Sequence, residues 1–377
     1  NASTCVAKEV MIRACDDPLC SSLYSEYDGT VELTTSTGHG DWRLNGEGEL
    51  VTGSRDSGAA SVTFLEENNG VVRLLLNNQH AESLTITAND TINALLANSS
   101  SVIQFSDNAF IITDIDPLLD GIANIDVAIA GRDHHYRVEM VRRDTSQSPA
   151  ICGIATHYNQ SQQPLKIWQT RQQLLNAQAP QINSISLPNN KPTTNNVQLD
   201  FSAGGIANFF LQTADVGQFA IEIEDDTRIF SNTINITGSS NHLTVRPFGL
   251  DIDFIINGIN DRQAQGLVSI TYAQDVLGMP NANASVFTSA GSPFITQVTA
   301  VQWQSMDDQN NDGQIDSDAN LTDNPATVSF GSEQVNESVR IMHSLAAPLS
   351  GAVGVIGGNI FTGFNQGSRS QTMTWSE

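Results

Sequence analysis

Residues 60–76 and residues 207–223 carry the pattern that decides the fold. The first segment is ASVTFLEENNGVVRLLL, the second is ANFFLQTADVGQFAIEI, and the two align without gaps. In each segment a small residue opens a β-favouring run, a polar turn follows, and Gly70 or Gly217 begins a second run. The repeat predicts equivalent closing strands in two β-sandwich modules. A chance similarity between two short β-hairpins is the alternative.

Similar β-rich runs, broken by Gly, Asn, Asp and Ser, occur along most of the chain. Strands at about ten-residue spacing are typical of an immunoglobulin-like sandwich, and 377 residues suffice for several such domains. Helical periodicity is almost absent, and Ile167 to Ala179 is predicted to form a short helix or an extended linker. We therefore expect an all-β fold of tandem immunoglobulin-like β-sandwich modules. The clearest runs are Val31 to Thr35, Ser61 to Leu65, Val71 to Leu76, Ser83 to Thr87, Tyr136 to Arg142 and Pro293 to Val301.

The same pattern predicts three modules. Residues 1–91 form an invasin-like immunoglobulin module, and residues 92–248 form a second module with an insertion at about 170–196. Residues 249–377 form a third sandwich with an acidic loop. The tail from Gly367 to Glu377 looks like the first half of a closing hairpin. The last module is therefore expected to be truncated, with an unpaired strand edge.

Composition narrows the functions that the chain can have. The net charge is −24, and there are only three lysines. Such a surface repels phosphate backbones and anionic lipids, so we expect neither nucleic-acid nor membrane-surface binding. No stretch approaches the ~20 apolar residues of a membrane span. The N-terminal residues lack signal-peptide features, so an export signal is expected upstream.

Four cysteines allow three complete pairings. Cys15 and Cys20 flank a turn-rich tetrapeptide, which favours a disulfide between them. Cys5 and Cys152 then remain as a possible tie between modules. Free thiols or a metal site are the alternatives. Either disulfide would place the chain in oxidising surroundings.

The sharpest chemical signal is an acidic loop that resembles a calcium-binding loop. Oxygen-bearing side chains alternate along it, and Gly313 stands where such a loop turns sharply. Ala319 replaces the usual bidentate glutamate, and strands rather than helices flank the loop. An acidic, solvated Asx-turn loop is the alternative. The predicted calcium ligands are Asp308, Asn310, Asp312, Gln314, Asp316 and Asp318.

Nothing in the sequence predicts an enzyme. Motifs for a nucleophilic serine, a zinc protease and a phosphate loop are absent. His134 and His135 are neighbours on a predicted strand, so they face opposite sides and do not share a metal. Both are expected to be surface or turn histidines. Four tryptophans are expected to be core residues rather than sugar-stacking platforms: Trp42, Trp168, Trp303 and Trp375.

Six motifs, in conserved order, resemble the C-terminal region of MSHA-pilus biogenesis proteins of the MshQ type. They lie at residues 29–42, 128–131, 238–248, 299–303, 308–313 and 374–377. The resemblance implies an extracellular or pilus-associated protein of a Gram-negative bacterium, from a domain family without an assigned activity. We therefore expect a structural or adhesive module whose partners are other pilus or surface proteins. A carbohydrate-binding module that recognises surface glycans is the alternative.

Overall fold

In a computed structural model, short β-strands are the main regular structure of the described residues. The described residues contain thirty strands and two 3₁₀ turns, at Glu66–Asn68 and Leu321–Asp323. None of them forms a helix long and apolar enough to cross a bilayer. The described residues are 2–18, 20, 22–44, 49–52, 56–92, 98–116, 127–146, 148–174, 176–228, 235–256, 259–260, 291–316, 318–333, 337–342 and 354–376.

The strands fall into three groups, each around its own apolar core. The first group is β1 (Ala2–Ser3), β2 (Lys8–Arg13), β3 (Thr30–Thr35), β4 (Asp41–Leu44), β5 (Glu49–Thr52), β6 (Ala59–Thr63), β7 (Val71–Asn77), β8 (Ser83–Leu84), β9 (Ile86–Asp90), β10 (Asn98–Ser99) and β11 (Ile103–Ser106). The second is β12 (Asn108–Asp114), β13 (Val127–Ile129), β14 (Asp133–Asp144), β15 (Ile151–Ile154), β16 (Gln163–Gln173), β17 (Gln181–Ile182), β18 (Ile185–Ser186), β19 (Val197–Leu199), β20 (Ile206–Gln212), β21 (Gly217–Asp225), β22 (Ile236–Ser239) and β23 (Leu243–Arg246). The third is β24 (Gly249–Ile256), β25 (Ile259–Asn260), β26 (Pro293–Val301), β27 (Val339–Arg340), β28 (Val355–Gly357), β29 (Ile360–Phe361) and β30 (Ser368–Ser376).

The first module encloses its core between the sheets β10-β9-β3-β6-β5 and β2-β7-β4. Alternate residues of β7 point inward, so Val72, Leu74 and Leu76 are fully buried. A third small sheet, β1-β11-β8, closes one end. Its strand β11 places Phe105 in the same core. The packing of this module therefore reaches past residue 91, where the sequence pattern placed the boundary.

The second module is a sandwich whose twelve strands are all linked by hydrogen bonding. The prediction of a helix or linker after Ile167 is wrong, because this residue lies in β16 and pairs with Ile223 of β21. Leu165, Ile167 and Gln169 are all buried, and this two-residue period is that of a strand. Within the predicted insertion, β17 and β18 form a small hairpin that extends the sheet from β20.

The repeated segments do not form hairpins. In neither module do the two strands of the repeat pair with each other: β6 lies between β3 and β5, whereas β7 lies between β2 and β4. Likewise β20 pairs with β14 and β17, whereas β21 pairs with β16, β22 and β23. Gly70 and Gly217 have φ values of +74° and +148°, which favour glycine at the start of the second strand.

The third module contains the five-stranded sheet β25-β24-β26-β30-β28 and the short pair β27-β29. Its core contains Phe294, Val298, Phe361 and Met373. Strand β30 pairs with β26 on one side and with β28 on the other. The unpaired edge expected for this tail is therefore absent. The prediction of an all-β chain of successive sandwich modules is confirmed.

Candidate functional site: the joints between the modules

A disulfide crosses the joint between the first and second modules. Cys5, in the turn after β1, is bonded to Cys152 of β15, 147 residues away in the sequence. The second disulfide, Cys15–Cys20, closes a short loop inside the first module. These are the two pairings expected from the sequence. The long-range one ties the start of the first module to an exposed strand of the second.

A buried carboxylate also crosses the first joint. Glu9 of β2 accepts hydrogen bonds from Arg73 Nη1 at 3.0 Å and from the backbone N–H of His242 at 2.9 Å. His242 Nδ1 lies 3.0 Å from the same Glu9 Oε2. Burial alone would raise the pKa of Glu9, but the hydrogen bonds from His242 and the charge of Arg73 outweigh it and lower the pKa to about 2. Glu9 therefore stays ionised at neutral pH and links the two modules.

Basic residues complete the first joint. Lys8 Nζ donates to Ser239 Oγ of the second module at 3.0 Å, and its burial lowers the pKa of the ammonium. Arg13 donates to the side-chain oxygen of Gln172. Arg143 of β14 donates back to a backbone carbonyl of the first module. The chain has 17 Lys and Arg against 41 Asp and Glu, so cations are scarce, and three of them cross this joint.

Two more arginines cross the joint between the second and third modules. Arg132 is 2% exposed and binds Asp116 through Nη1 (2.8 Å) and Nη2 (3.3 Å). Its Nε donates to Asn311 Oδ1 of the third module at 2.9 Å. Arg246 Nη2 donates to the backbone carbonyl of Gly313 at 3.0 Å. Both arginines thus hold the acidic loop against the second module.

An apolar contact lies under these arginines. A small cluster unites Ile129 of the second module with Phe248, Val301 and Leu321, and Trp303 packs against it. The backbone N–H of Trp303 donates to the carbonyl of Ala130 at 2.7 Å. Backbone pairing, apolar contact and buried charge therefore all join the two modules here.

The acidic loop folds on its own hydrogen bonds. Asp308 is 1% exposed. Its Oδ2 accepts hydrogen bonds from Trp303 Nε1 at 2.7 Å and from the backbone N–H of Gly313 at 2.9 Å. Its Oδ1 accepts a hydrogen bond from the backbone N–H of Asp312 at 2.8 Å. Asp316 accepts from Gln309 N at 2.8 Å.

The six predicted calcium ligands are placed unevenly around this loop. Asp308 is buried, Asp312 and Asp316 are partly exposed, and Asn310, Gln314 and Asp318 are exposed. In the arrangement of the described residues, no three His, Cys, Asp or Glu side chains converge on a common point.

The histidines have different surroundings from those expected. His134 is fully buried, so the surface interpretation of this residue is wrong. Its Nε2 accepts the backbone N–H of Ile129 at 2.9 Å, and His135 faces the opposite side of the sheet, as expected for neighbours on a strand. At the surface of the first module, His39 and His80 stack at 3.9 Å between ring centroids.

Sequence reasoning missed the residues that build the joints. Glu9 and Arg132 belong to no sequence motif. Arg246 lies in the motif at residues 238–248 and His134 in the histidine pair, but no pattern indicated their contacts across a joint. The contacts of these four residues lie up to 233 residues away. One signal was available: charged residues at inward-facing positions of a strand require a buried polar contact.

Clefts of about 310 and 400 Å³ open at the first joint and one of about 370 Å³ at the second. No histidine lines any of these three clefts.

Three family models match the sequence. Residues 90–239 match a domain of unknown function (DUF6701), first Ig-like domain. Residues 264–374 match the second domain of DUF6701, and residues 1–92 match another domain of unknown function (DUF8613). No curated protein matches the sequence. For residues 90–239, the immunoglobulin-like type of module expected from the strand pattern is thereby confirmed.

Several bacterial adhesins are similar in structure at low sequence identity. The adhesin InvE of Yersinia pseudotuberculosis is 10% identical, with a TM-score of 0.23, over 66% of this chain and 57% of that one. Invasin, described as a bacterial integrin-binding protein, is 11% identical, with a TM-score of 0.22, over 98% of this chain and 54% of that one. The D0-D1 domain of intimin is 10% identical, with a TM-score of 0.22, over 65% of this chain and 93% of that one.

Proposed function

We propose that the chain is a non-catalytic, structural and adhesive part of a bacterial cell-surface protein, associated with an MSHA-type pilus. The observation that carries this proposal is the construction of the joints. Modules that only display separate binding sites need no buried charges between them, whereas modules that transmit force benefit from joints that do not bend. Here one joint has a disulfide and a buried carboxylate, and the other has two arginines and an apolar cluster.

The composition supports the same proposal. Disulfides persist in oxidising compartments, which suits a position outside the cytoplasm. A net charge of −24 keeps an exposed protein soluble and disfavours association with anionic surfaces. The proposed partners are therefore other pilus or surface proteins rather than nucleic acid or lipid.

Attachment of the source bacterium tests this proposal. A strain whose gene lacks the codons for residues 1–377 is compared with the same strain carrying the intact gene. We expect attachment to surfaces or cells to fall, with pilus number counted by electron microscopy as a second readout. A strain with the Cys5→Ser and Cys152→Ser substitutions should lose attachment under flow more than under static conditions. Unchanged attachment and pilus number in the deletion strain would contradict the proposal.

Glycan recognition is the alternative, and one exposed ring gives it a definite test. Trp42 is buried and the other three tryptophans are partly buried, which leaves them poorly placed for sugar stacking. Phe210, on the outer face of β20, is 53% exposed and stacks on His135 at 4.8 Å. A glycan-array signal that disappears in Phe210→Ala would favour the carbohydrate-binding function.

We further propose that the acidic loop binds calcium weakly, in the roughly millimolar range typical of extracellular modules. A carboxylate has about four lone-pair sites, so a hydrogen-bonded Asp308 keeps capacity for a cation. Asp316 would have to turn away from Gln309 N, which is consistent with weak binding. Calcium should raise the melting temperature, a chelator should reverse this, and Asp312→Ala should abolish the difference. An identical melt with calcium and with chelator refutes the site.

A further inference from the structure

We propose that His134 makes the joint between the second and third modules open in acid. This histidine is fully buried at the start of β14, and its Nε2 accepts the backbone N–H of Ile129, in the segment that carries contacts to the third module. The proposal concerns the stiffness of the joint and is independent of what the modules bind.

The hydrogen bonding of His134 defines its protonation state. The backbone N–H of Ile129 points at Nε2 from 2.9 Å, so Nε2 must be an acceptor and the ring proton must be on Nδ1. Nδ1 lies 3.6 Å from Asp116 Oδ2, beyond hydrogen-bonding range. The imidazole is therefore neutral in the closed joint.

The two arginines near the ring oppose a second proton, whereas the nearby carboxylate of Asp116 favours one. Arg132 on the preceding turn, Arg246 at the end of β23 and Asp116 after β12 are the charged groups that face it. Asp116 is already bound by both terminal nitrogens of Arg132. Burial first, and then the charge of Arg132, lower the pKa of His134 to about 4.

Protonation would break a bond that the joint needs. With a proton on Nε2, two N–H donors would face each other, and Ile129 would lose its acceptor. Ile129 belongs to the apolar cluster of the joint, and the next residue accepts the backbone N–H of Trp303. Gly313 of the acidic loop packs so close to Ile129 that an added Cβ would lie 2.7 Å from Ile129 Cδ1. A shift of this short segment therefore disturbs three contacts with the third module at once.

The sign and size of the effect follow from proton linkage. The pKa of His134 is lowered in the closed state, so the neutral ring favours that state above pH 6.5. This contribution to the stability of the closed joint is lost as the pH falls toward about 4. If opening the joint exposes the ring and gives it an ordinary histidine pKa, the ratio of open to closed joint rises by at most roughly 50-fold between pH 7 and pH 4.5. Glu9, at the other joint, titrates lower still, near pH 2.

Amide hydrogen exchange of the whole chain tests the proposal. After correction for the intrinsic pH dependence of exchange, the amides of Ile129 and Trp303 should lose protection by tens of fold between pH 7 and pH 4.5. The amide of Leu74, in the core of the first module, should not. The glutamine of His134→Gln keeps an acceptor for Ile129 but does not titrate. In this variant the hydrogen-exchange protection of the Ile129 and Trp303 amides should therefore stay constant with pH. His135→Gln, on the opposite face, should behave as wild type.

Two results would overturn the proposal. One is that the Ile129 and Trp303 amides of the wild type have the same hydrogen-exchange protection at pH 7 and at pH 4.5. The other is a His134→Gln joint that opens in acid as the wild type does. Should His134→Gln fail to fold, the imidazole signals of the wild type decide by NMR. A His134 midpoint below pH 5 that coincides with loss of Trp303 protection supports the switch. A midpoint at or above pH 5, or a midpoint below pH 5 without that loss, refutes it.

Discussion

Removal of the disulfide between Cys5 and Cys152 should weaken the molecule far more than removal of the bridge between Cys15 and Cys20. A cross-link stabilises mainly by restricting the unfolded chain, and the effect grows with the number of residues in the closed loop. The first bridge spans 147 residues and the second spans 5. The chain-entropy relation gives about 5 kcal/mol at 25 °C for the first and about 2 kcal/mol for the second.

Urea unfolding of two double-serine variants measures this difference. Trp42 is 4% exposed in the core of the first module, so its fluorescence reports the unfolding of that module when Trp168, Trp303 and Trp375 are replaced by phenylalanine in the reference protein and in both variants. The Cys5→Ser, Cys152→Ser variant should unfold at a much lower urea concentration than the wild type. The Cys15→Ser, Cys20→Ser variant, which also loses one bridge, should lie between them. The reasoning is refuted if the two variants unfold at the same midpoint, or if loss of the long-range bridge has the smaller effect.

Three further substitutions test individual contacts. Glu9→Gln removes the charge that His242 binds, and urea unfolding at pH 7 should show a loss of about 2 kcal/mol. The difference between wild type and variant should shrink as the pH falls from 4.5 toward 2, because the ionised Glu9 stabilises the folded state and becomes protonated over this range. A difference that stays constant over this range would contradict the reasoning. Gly313→Ala should destabilise the second joint more than Gly38→Ala destabilises the first module. Both glycines have φ near +70°, so the backbone strain of the two substitutions is similar. Of the two, only Gly313 has a side chain within 3 Å of the added Cβ. Equal losses in calorimetry would exclude the steric contribution. Leu74→Ala, fully buried in the first core, should lower the unfolding free energy by about 3 kcal/mol, and a loss below 1 kcal/mol would mean that this core is loosely packed.

The acidic loop lies at the joint between the second and third modules, where its charges have neighbours that the sequence did not indicate. From the sequence the loop resembles an isolated calcium site at the surface of one module. In the structure it receives Arg132 and Arg246 of the preceding module, through Asn311 and the carbonyl of Gly313. Two cations therefore already contact the loop. A calcium ion bound there would act on the same joint that His134 controls, so the metal and the proton would have opposite effects on it.

The sequence predicted strands well where burial alternates. In β20, Ala207, Phe209 and Leu211 point inward while the residues between them point outward, and a period of two is visible without coordinates. The helix or linker expected after Ile167 failed because residues rich in Gln, Leu and Ala have little preference for strands. The conformation of Ile167 to Gln173 was decided by pairing with β21, 45 to 56 residues later.

By itself, then, the sequence determined the all-β class and the chemically plausible cysteine pairs, because these depend on local periodicity and residue type. The tertiary structure decided which strands pair, and it showed that β6 and β7 do not. It also decided which charges are buried together. Glu9 and His242 meet across 233 residues, and a contact between such distant positions leaves no periodic trace in the chain, since it exists only after the modules have folded and docked.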